Sequence, residues 1–243
     1  MGQEWQELRG GILVTAATAD RALVNTGLVV GLRRALVIDT GCGPRHGAEL
    51  LAAVRRVTPL PLVVVNTHAH WDHFFGNAVF KNDGATQFWA HAAAARGMAA
   101  TGEAQRQEVA GVEPGMAAGE GPLTELVPPT RLVGADPAVL ELGGVSATLF
   151  TMGPAHTGGD LMVGVEGVLF AGDVLEEGAE PQFGDADRAG WIRVLRTLSG
   201  MGAEYPQMGP GHGKPVTAAF AAHMADSMEA GPGPARPGLE WGQ

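Results

Sequence analysis

Thr67-His68-Ala69-His70-Trp71-Asp72-His73 puts three imidazoles and a carboxylate within six residues. A neutral imidazole needs partners for both ring nitrogens and a carboxylate needs several donors, so this density is hard to justify as packing. Metal ligation is the chemistry that uses it. His68 and His70, one residue apart, can aim at one ion, while Asp72 and His73 can turn toward a second ion nearby. A solitary histidine is more often a satisfied structural residue; the cluster carries the inference.

Four other segments place chemically capable residues beside small ones: Asp39 in Val37-Ile38-Asp39-Thr40-Gly41, His156 in Pro154-Ala155-His156-Thr157-Gly158-Gly159-Asp160, Asp173 in Phe170-Ala171-Gly172-Asp173, and His212 in Gly209-Pro210-Gly211-His212-Gly213. Together with the His-x-His-x-Asp-His run at residues 68–73, and in this order, they resemble the metallo-β-lactamase-fold hydrolase superfamily, in particular the glyoxalase II and lactonase-like ligand set with an Asp bridge. The resemblance covers nearly the whole chain. It implies His68, His70 and His156 on one metal, Asp72, His73 and His212 on the other, and Asp173 bridging them. It also implies an α/β fold of four αβ/βα layers, in which two mixed β-sheets are sandwiched between helices with the metals at one edge. Zinc, two ions per chain, is the implied cofactor, and the ligand types alone also admit iron or manganese.

Two cations a few ångströms apart can share a water and lower its pKa from about 15.7 toward roughly 7. Asp72 then binds one metal and orients the hydroxide or accepts its proton. The expected function is a dinuclear zinc hydrolase whose metal-bridging hydroxide cleaves a small ester, thioester, lactone or amide. Other readings are a β-lactam-hydrolysing enzyme, a mononuclear iron persulfide dioxygenase-like oxidoreductase using His68, His156 and Asp173, and a non-catalytic metal-binding protein. The resemblance weighs among them: the better-known secreted β-lactamases carry Cys where this chain has Asp173, and glyoxalase II-like thioesterases have a helical C-terminal extension for which the residues after His212 leave little room. Trp71, Phe74 and Phe75 either wall a substrate or face the core. Lys214 either meets an acidic substrate group or is an exposed lysine at a helix start.

The elements that must hold these residues are readable from periodicity. Leu62-Val63-Val64-Val65 is a buried strand, so the histidines emerge from its end, where open α/β sheets keep their sites. Residues 12–16, 22–30 and 34–39 read as strands, with a turn at Thr18-Ala19-Asp20-Arg21. Asp39, at the end of the third, is expected under the metal loop as a hydrogen-bond acceptor orienting a ligand histidine or the loop backbone; a turn-forming aspartate is the plainer reading. Pro44 opens a helix to about Val57 with Leu50, Leu51, Val54 and Val57 on one face and His46 solvated in its first turn. A strand over 86–90 precedes a helix begun by His91, which is kept out of the site. Residues 97–129 mix helical stretches with Gly and Pro and form either a mobile lid or a surface crossover. Strands at 138–142 and 145–150 lead to His156, and a hairpin turning at Glu166-Gly167 leads to Asp173 just past its second strand. Trp191, Val194, Leu195 and Leu198 lie at core spacing on a helix, and Pro215 starts a last helix containing His223.

Composition bounds the rest. A chain of 243 residues, 45% hydrophobic, can bury a sizeable core, and ligands scattered from 68 to 212 favour a single domain over 1–229, with halves of about 1–130 and 131–229 and a flexible tail at 230–243. A net charge of -10 argues against a nucleic-acid track. One cysteine, Cys42, cannot form an internal disulfide. The opening residues carry Glu4, Trp5 and Glu7 rather than a basic segment and an apolar core, and no apolar run is long enough to cross a bilayer. A cytoplasmic protein acting on a small molecule, with no nucleic-acid or membrane partner and an open oligomeric state, is the expectation.

Overall fold

Successive side chains of a strand point to opposite faces, so an all-apolar strand must be covered on both. Strands β1 (Gln6–Arg9), β2 (Ile12–Ala16), β3 (Asn25–Val30), β4 (Ala35–Ile38), β5 (Leu62–Val65), β6 (Phe88–His91) and β7 (Arg131–Val133) form one sheet in chain order. Pairing is antiparallel from β1 to β4 and parallel from β4 to β7. Strands β8 (Ala138–Glu141), β9 (Ser146–Phe150), β10 (Met162–Val165), β11 (Val168–Glu176) and β12 (Gln207–His212) form a second sheet in the order β12-β11-β10-β9-β8, in which β11 and β12 run parallel. The computed structural model describes residues 4–16 and 24–231; the turn expected at Thr18-Ala19-Asp20-Arg21 and most of the expected tail lie outside the described residues.

The alternation sorts the layers. Leu36 and Ile38 of β4 and Val63 and Val65 of β5 meet Leu149, Val163, Val165 and Phe170 in a core between the sheets. The intervening Ala35, Val37, Leu62 and Val64 face helices α1 (Pro44–Val57) and α3 (Asn77–Asn82), through Leu50, Val54, Val79 and Phe80. On the far side, Met162, Leu169 and Ala171 pack against α6 (Arg188–Ser199) and α7 (Ala218–Ala230), where Trp191, Leu195 and Leu198 are fully buried. Helix, sheet, sheet, helix is the four-layer α/β arrangement expected. Each such aliphatic side chain contributes about 1.5–3 kcal/mol by burial. The remaining helices are α2 (Trp71–Phe74), α4 (Ala92–Gln105) and α5 (Pro114–Ala118), with a 3-10 turn at Pro122–Thr124.

Several local expectations need correction. His46 is not solvated: it is fully buried, its Nδ1 3.1 Å from Cys42 Sγ and 3.2 Å from the Cys42 amide, because Gly41 and Cys42 fold back over the first turn of α1. Val57, the last residue of α1, is 41% exposed rather than packed with Leu50 and Val54. The last helix starts at Ala218 rather than Pro215, because Val216 pairs with Met208 through two backbone hydrogen bonds of 2.8 and 2.9 Å and keeps that stretch extended. Asp173 lies inside β11, not past it. Within residues 97–129, read either as a lid or as a crossover, one point is tied to α1: Glu113, buried, accepts hydrogen bonds from the His46 amide (2.7 Å) and the Arg45 amide (3.3 Å) at its N-terminus. That satisfies donors that a helix start leaves open.

Candidate metal centre

Parallel pairing of β4 with β5 sets Ile38 opposite Val65, so the residues just past both strands are neighbours. Asp39 follows at φ 64, a left-handed conformation that aspartate tolerates better than most residues. Its Oδ1 accepts from the Thr67 amide at 2.8 Å, and its Oδ2 accepts from Thr67 Oγ1 at 2.8 Å and lies 2.8 Å from His73 Nδ1. The aspartate therefore contacts both the loop backbone and His73, the place of an acceptor under the loop. Behind the loop, Asn66 Nδ2 donates to the His73 carbonyl (3.0 Å), and Asn77 Nδ2 donates to Asn66 Oδ1 (2.8 Å). Gln105 at the end of α4 closes the other side, accepting from the Trp71 amide (2.8 Å) and donating to the Ala69 carbonyl (3.0 Å).

The second sheet supplies the other residues expected as ligands. Asp160, 4% exposed, accepts from Thr157 Oγ1 (2.6 Å) and from the amides of Thr157 (3.0 Å) and Ala155 (3.2 Å), which shapes the loop around His156. The His156 ring stands edge-on to Trp191, with centroids 5.1 Å apart. Asp173 rises from β11 against Gly211 of β12, where an added Cβ would fall 1.8 Å from Asp173 Oδ1; only glycine fits. His212 ends β12. Asn25 Nδ2 donates to the carbonyls of Pro210 and Gly213, both at 2.8 Å, and Val24 pairs with His212, so the first sheet fixes this edge of the second.

All seven residues expected as ligands converge. His68, His70, His156 and Asp173 form one cluster and Asp72, His73 and His212 another, with the ligand atoms of each within 4.8 Å of one another. In the first, His70 Nδ1 lies 3.1 Å from His68 Nε2 and 3.0 Å from His156 Nε2. In the second, His212 Nε2 lies 3.4 Å from Asp72 Oδ2, and His73 Nε2 lies 3.7 Å from it. Asp173 touches both, its Oδ2 3.8 Å from His68 Nε2 and 3.3 Å from His212 Nε2, and its Oδ1 3.2 Å from His73 Nε2.

The outward nitrogens decide which lone pairs point in. Thr67 Oγ1 spends its proton on Asp39, so at 3.0 Å it accepts from His68 Nδ1, leaving His68 Nε2 as a lone pair facing the cluster. His70 Nε2 lies 3.2 Å from Asp185 Oδ1, which makes Nδ1 its inward lone pair. His73 Nδ1 faces Asp39, and its buried Nε2, like Asp173 Oδ1, has no hydrogen-bond partner among the described residues. Imidazole lone pairs that converge beside two buried carboxylates call for positive charge among them, and imidazole with carboxylate is a donor set that divalent metals accept.

With protons as the only cations, the cluster compensates itself. Burial opposes charging of His73, but Asp173, Asp72 and Asp39 outweigh it and hold His73 well above the usual imidazole range; Asp173 and then Asp72 do the same for His212. Burial would raise Asp173, yet His73, His212 and His68 hold it well below the carboxylate range, and His73 and His212 likewise lower Asp72. His156 is pushed down to about 4 by burial. The site therefore keeps two anionic carboxylates beside cationic or neutral imidazoles.

Other candidates fall outside. Phe74 and Phe75 are core residues, each 1% exposed. His91 Nδ1 accepts from the Ala93 amide and caps α4, and His223 is on the surface. Lys214 is exposed, its amide donating to Glu177 Oε2 at 2.9 Å. The sequence reading missed Asp185, Glu176 and Gln105. Only Glu176 had a signal, a carboxylate closing the apolar run Val168-Leu169-Phe170-Ala171 and Val174-Leu175. It is 5% exposed with Oε1 3.6 Å from His156 Nδ1, and burial, then Asp173, push it up to about 8.

Residues 19–212 match the sequence profile of the metallo-beta-lactamase superfamily. A stretch of 166 residues, 64% of this chain, is 33% identical to the acyl-coenzyme A thioesterase MBLAC2 of Gallus gallus and spans 58% of that protein. Among solved structures, a metallo-beta-lactamase from Pontibacter korlensis superposes with a TM-score of 0.72 at 18% identity, covering 93% of this chain and 99% of its own. FIM-1 from Pseudomonas aeruginosa in its mono-zinc form gives a TM-score of 0.72 at 20% identity, over 95% of this chain and 96% of its own. Those two likenesses carry the fold. The profile match, which spans most of the chain, identifies it as a member of the metallo-beta-lactamase superfamily, with two adjoining His/Asp clusters of the dinuclear type that meet at Asp173.

Proposed function

We propose that this protein is a dinuclear zinc hydrolase acting on a small acyl substrate, with thioesters the first class to test among thioesters, esters, lactones and amides. The observation that carries the reading is the completeness of both clusters around Asp173. A mononuclear iron site built on His68, His156 and Asp173 would leave Asp72, His73 and His212 without employment. The activity named for the Gallus gallus relative supports placing thioesters first.

Two divalent cations held here would supply Lewis acidity, lowering the pKa of a water to about 7 and polarising the acyl carbonyl. His68, His70 and His156 would hold one ion, Asp72, His73 and His212 the other, and Asp173, which touches both clusters, would serve both. Asp72, its Oδ2 3.4 Å from His212 Nε2 and 3.7 Å from His73 Nε2, would orient the attacking water and accept its proton. The oxygen–carbon bond forms, the carbon–sulfur bond breaks, and the proton passes from Asp72 to the leaving thiolate. Trp71, half-buried beside the loop, and Phe183, 46% exposed and 5.9 Å from Trp191, offer apolar surface to an acyl group.

Metal analysis of purified protein with a panel of acyl thioesters, aryl esters, lactones and cephalosporins tests the proposal. Zinc near two per chain with thioester turnover supports it. Iron near one with oxygen uptake from a persulfide favours the oxidoreductase reading, and metal without turnover favours a binding protein.

A further inference from the structure

The two sides of the metal centre adjoin different surfaces. Beside the first cluster the surface is apolar: Trp71 is half-buried next to His70, and Phe183, 46% exposed, stands 5.9 Å from Trp191, whose ring is edge-on to His156. Beside the second cluster lies a cleft of about 210 Å³, where β1, β2 and β3 meet the loop that follows His212. Glu4, Gln6, Val14, Asn25, Lys214 and Pro215 line it. Gln6 pairs with Val14 across β1 and β2, and Val24 pairs with His212, so Asn25 brings the cleft wall to within one residue of that pairing.

Asn25 is 6% exposed, and its Nδ2 spends both hydrogens on the carbonyls of Pro210 and Gly213. Its Oδ1 is left as an acceptor with no donor among the described residues. A buried acceptor in that state is costly, and a ligand N–H satisfies it. The Lys214 amide is held by Glu177 Oε2 at 2.9 Å, while its ammonium, like the Gln6 amide and the Glu4 carboxylate, meets no partner among the described residues. One cation and one anion on the same cleft leave it neutral as a whole. That wall suits an uncharged group carrying both a donor and an acceptor better than it suits a bare anion or a hydrocarbon.

We propose that this cleft is the subsite for the leaving-thiol arm of the substrate and that the arm carries an amide, whose N–H donates to Asn25 Oδ1 and whose carbonyl accepts from Lys214 Nζ. The acyl chain then lies on the other side, along Trp71 and Phe183. The inference rests on the thioester reading and narrows it to acyl thioesters of amide-bearing thiols. Polarity sets the orientation: with the two ends exchanged, hydrocarbon would cover Asn25 and Lys214 while the amide faced aromatic rings, and the hydrogen bonds would be lost at both ends. Held at its far end in this way, the thioester carbonyl is placed at the metals rather than merely retained near them.

Two thioesters of one acyl group test this, one of N-acetylcysteamine and one of pentanethiol, which has similar length and no amide. The unaltered protein is expected to turn over the N-acetylcysteamine thioester with a kcat/KM about tenfold higher, the effect of one to two hydrogen bonds. Lys214→Met removes the donor and Gln6→Trp fills the cleft, both at exposed positions, and each should bring that ratio to about threefold or less, chiefly through KM. Nitrogen-15 NMR of the metal-free protein, titrated with the S-methyl thioether of N-acetylcysteamine, should move the Asn25 side-chain amide and the Gly213 and Lys214 backbone amides. A ratio near one in the unaltered protein, or one that neither variant lowers, overturns the proposal, and so do shifts at Trp71 and Phe183 in place of those amides. If neither thioester is turned over while the thioether still moves the cleft amides, the thioester reading fails and the amide subsite stands; if those amides stay still as well, both fail.

Discussion

Replacing Asp39 by Asn removes charge while keeping shape, and Asn tolerates φ 64 as well as Asp does, so backbone strain does not confuse the result. The carboxylate accepts three contacts, each at 2.8 Å, from Thr67 N, Thr67 Oγ1 and His73 Nδ1. An amide has one acceptor oxygen. With its NH2 in the Oδ1 position it meets the Thr67 amide, an obligatory donor; with its NH2 in the Oδ2 position, Thr67 Oγ1 and His73 Nδ1 must turn to accept, which costs His73 its tautomer. A buried donor facing a donor costs about 1–3 kcal/mol, and bonds to a neutral rather than a charged acceptor are roughly half as strong. Asp39 is 2% exposed, so solvent screening does not soften the loss. The expected destabilisation is about 3 kcal/mol, with affinity for the second ion falling about 10–100-fold as His73 loses its tautomer. Urea unfolding of the metal-free protein and zinc competition measure the two. A loss below about 0.5 kcal/mol with unchanged zinc affinity would refute the reasoning, since that is the range of a surface change.

His70→Ala removes a ligand atom shared by two imidazole contacts and should lower metal content and hydrolysis together; full zinc and activity in that variant would contradict the ligand assignment. Gly211→Ala drives a Cβ into Asp173 Oδ1 and should reduce bound metal from two ions toward one, with an affinity loss of about 10–100-fold and an unaltered circular dichroism spectrum. His73 and His212 have folded-state pKa values raised above 6.5, so in the metal-free protein their stabilisation is fully present below pH 6.5 and is lost as pH rises through the folded values. Metal must displace those protons, so affinity should increase with pH and calorimetric heats at pH 7 should depend on the buffer; buffer-independent heats would be inconsistent with this.

The ligands were legible because chemistry concentrates them: His68 to His73 lie in one loop, and His156, Asp173 and His212 each sit among small residues. The strands that deliver them were legible where apolar residues run together, as at Leu62–Val65. β12 was not, because Gln207-Met208-Gly209-Pro210-Gly211-His212 has little strand propensity and is held extended by pairing with β11 and by Asn25. His46 looked solvated because helix periodicity cannot show the Gly41–Cys42 turn folding over it. Asp185 was invisible for a related reason: its partner lies 115 residues away, and nothing in a Gly- and Glu-containing stretch marks which acid touches a histidine.

The two sheets divide the chain between Val133 and Ala138, and neither side owns a complete site. His68 and His70 precede that point while His156 and Asp173 follow it; Asp72 and His73 precede it while His212 follows. An ion bound at either cluster would thus be a chelate cross-link between the two portions of the polypeptide, like a rivet through overlapping plates. A chain nicked near Gly134 would produce fragments whose reassociation draws on metal as well as on the apolar sheet interface, and a chelator would act on their cohesion as well as on turnover.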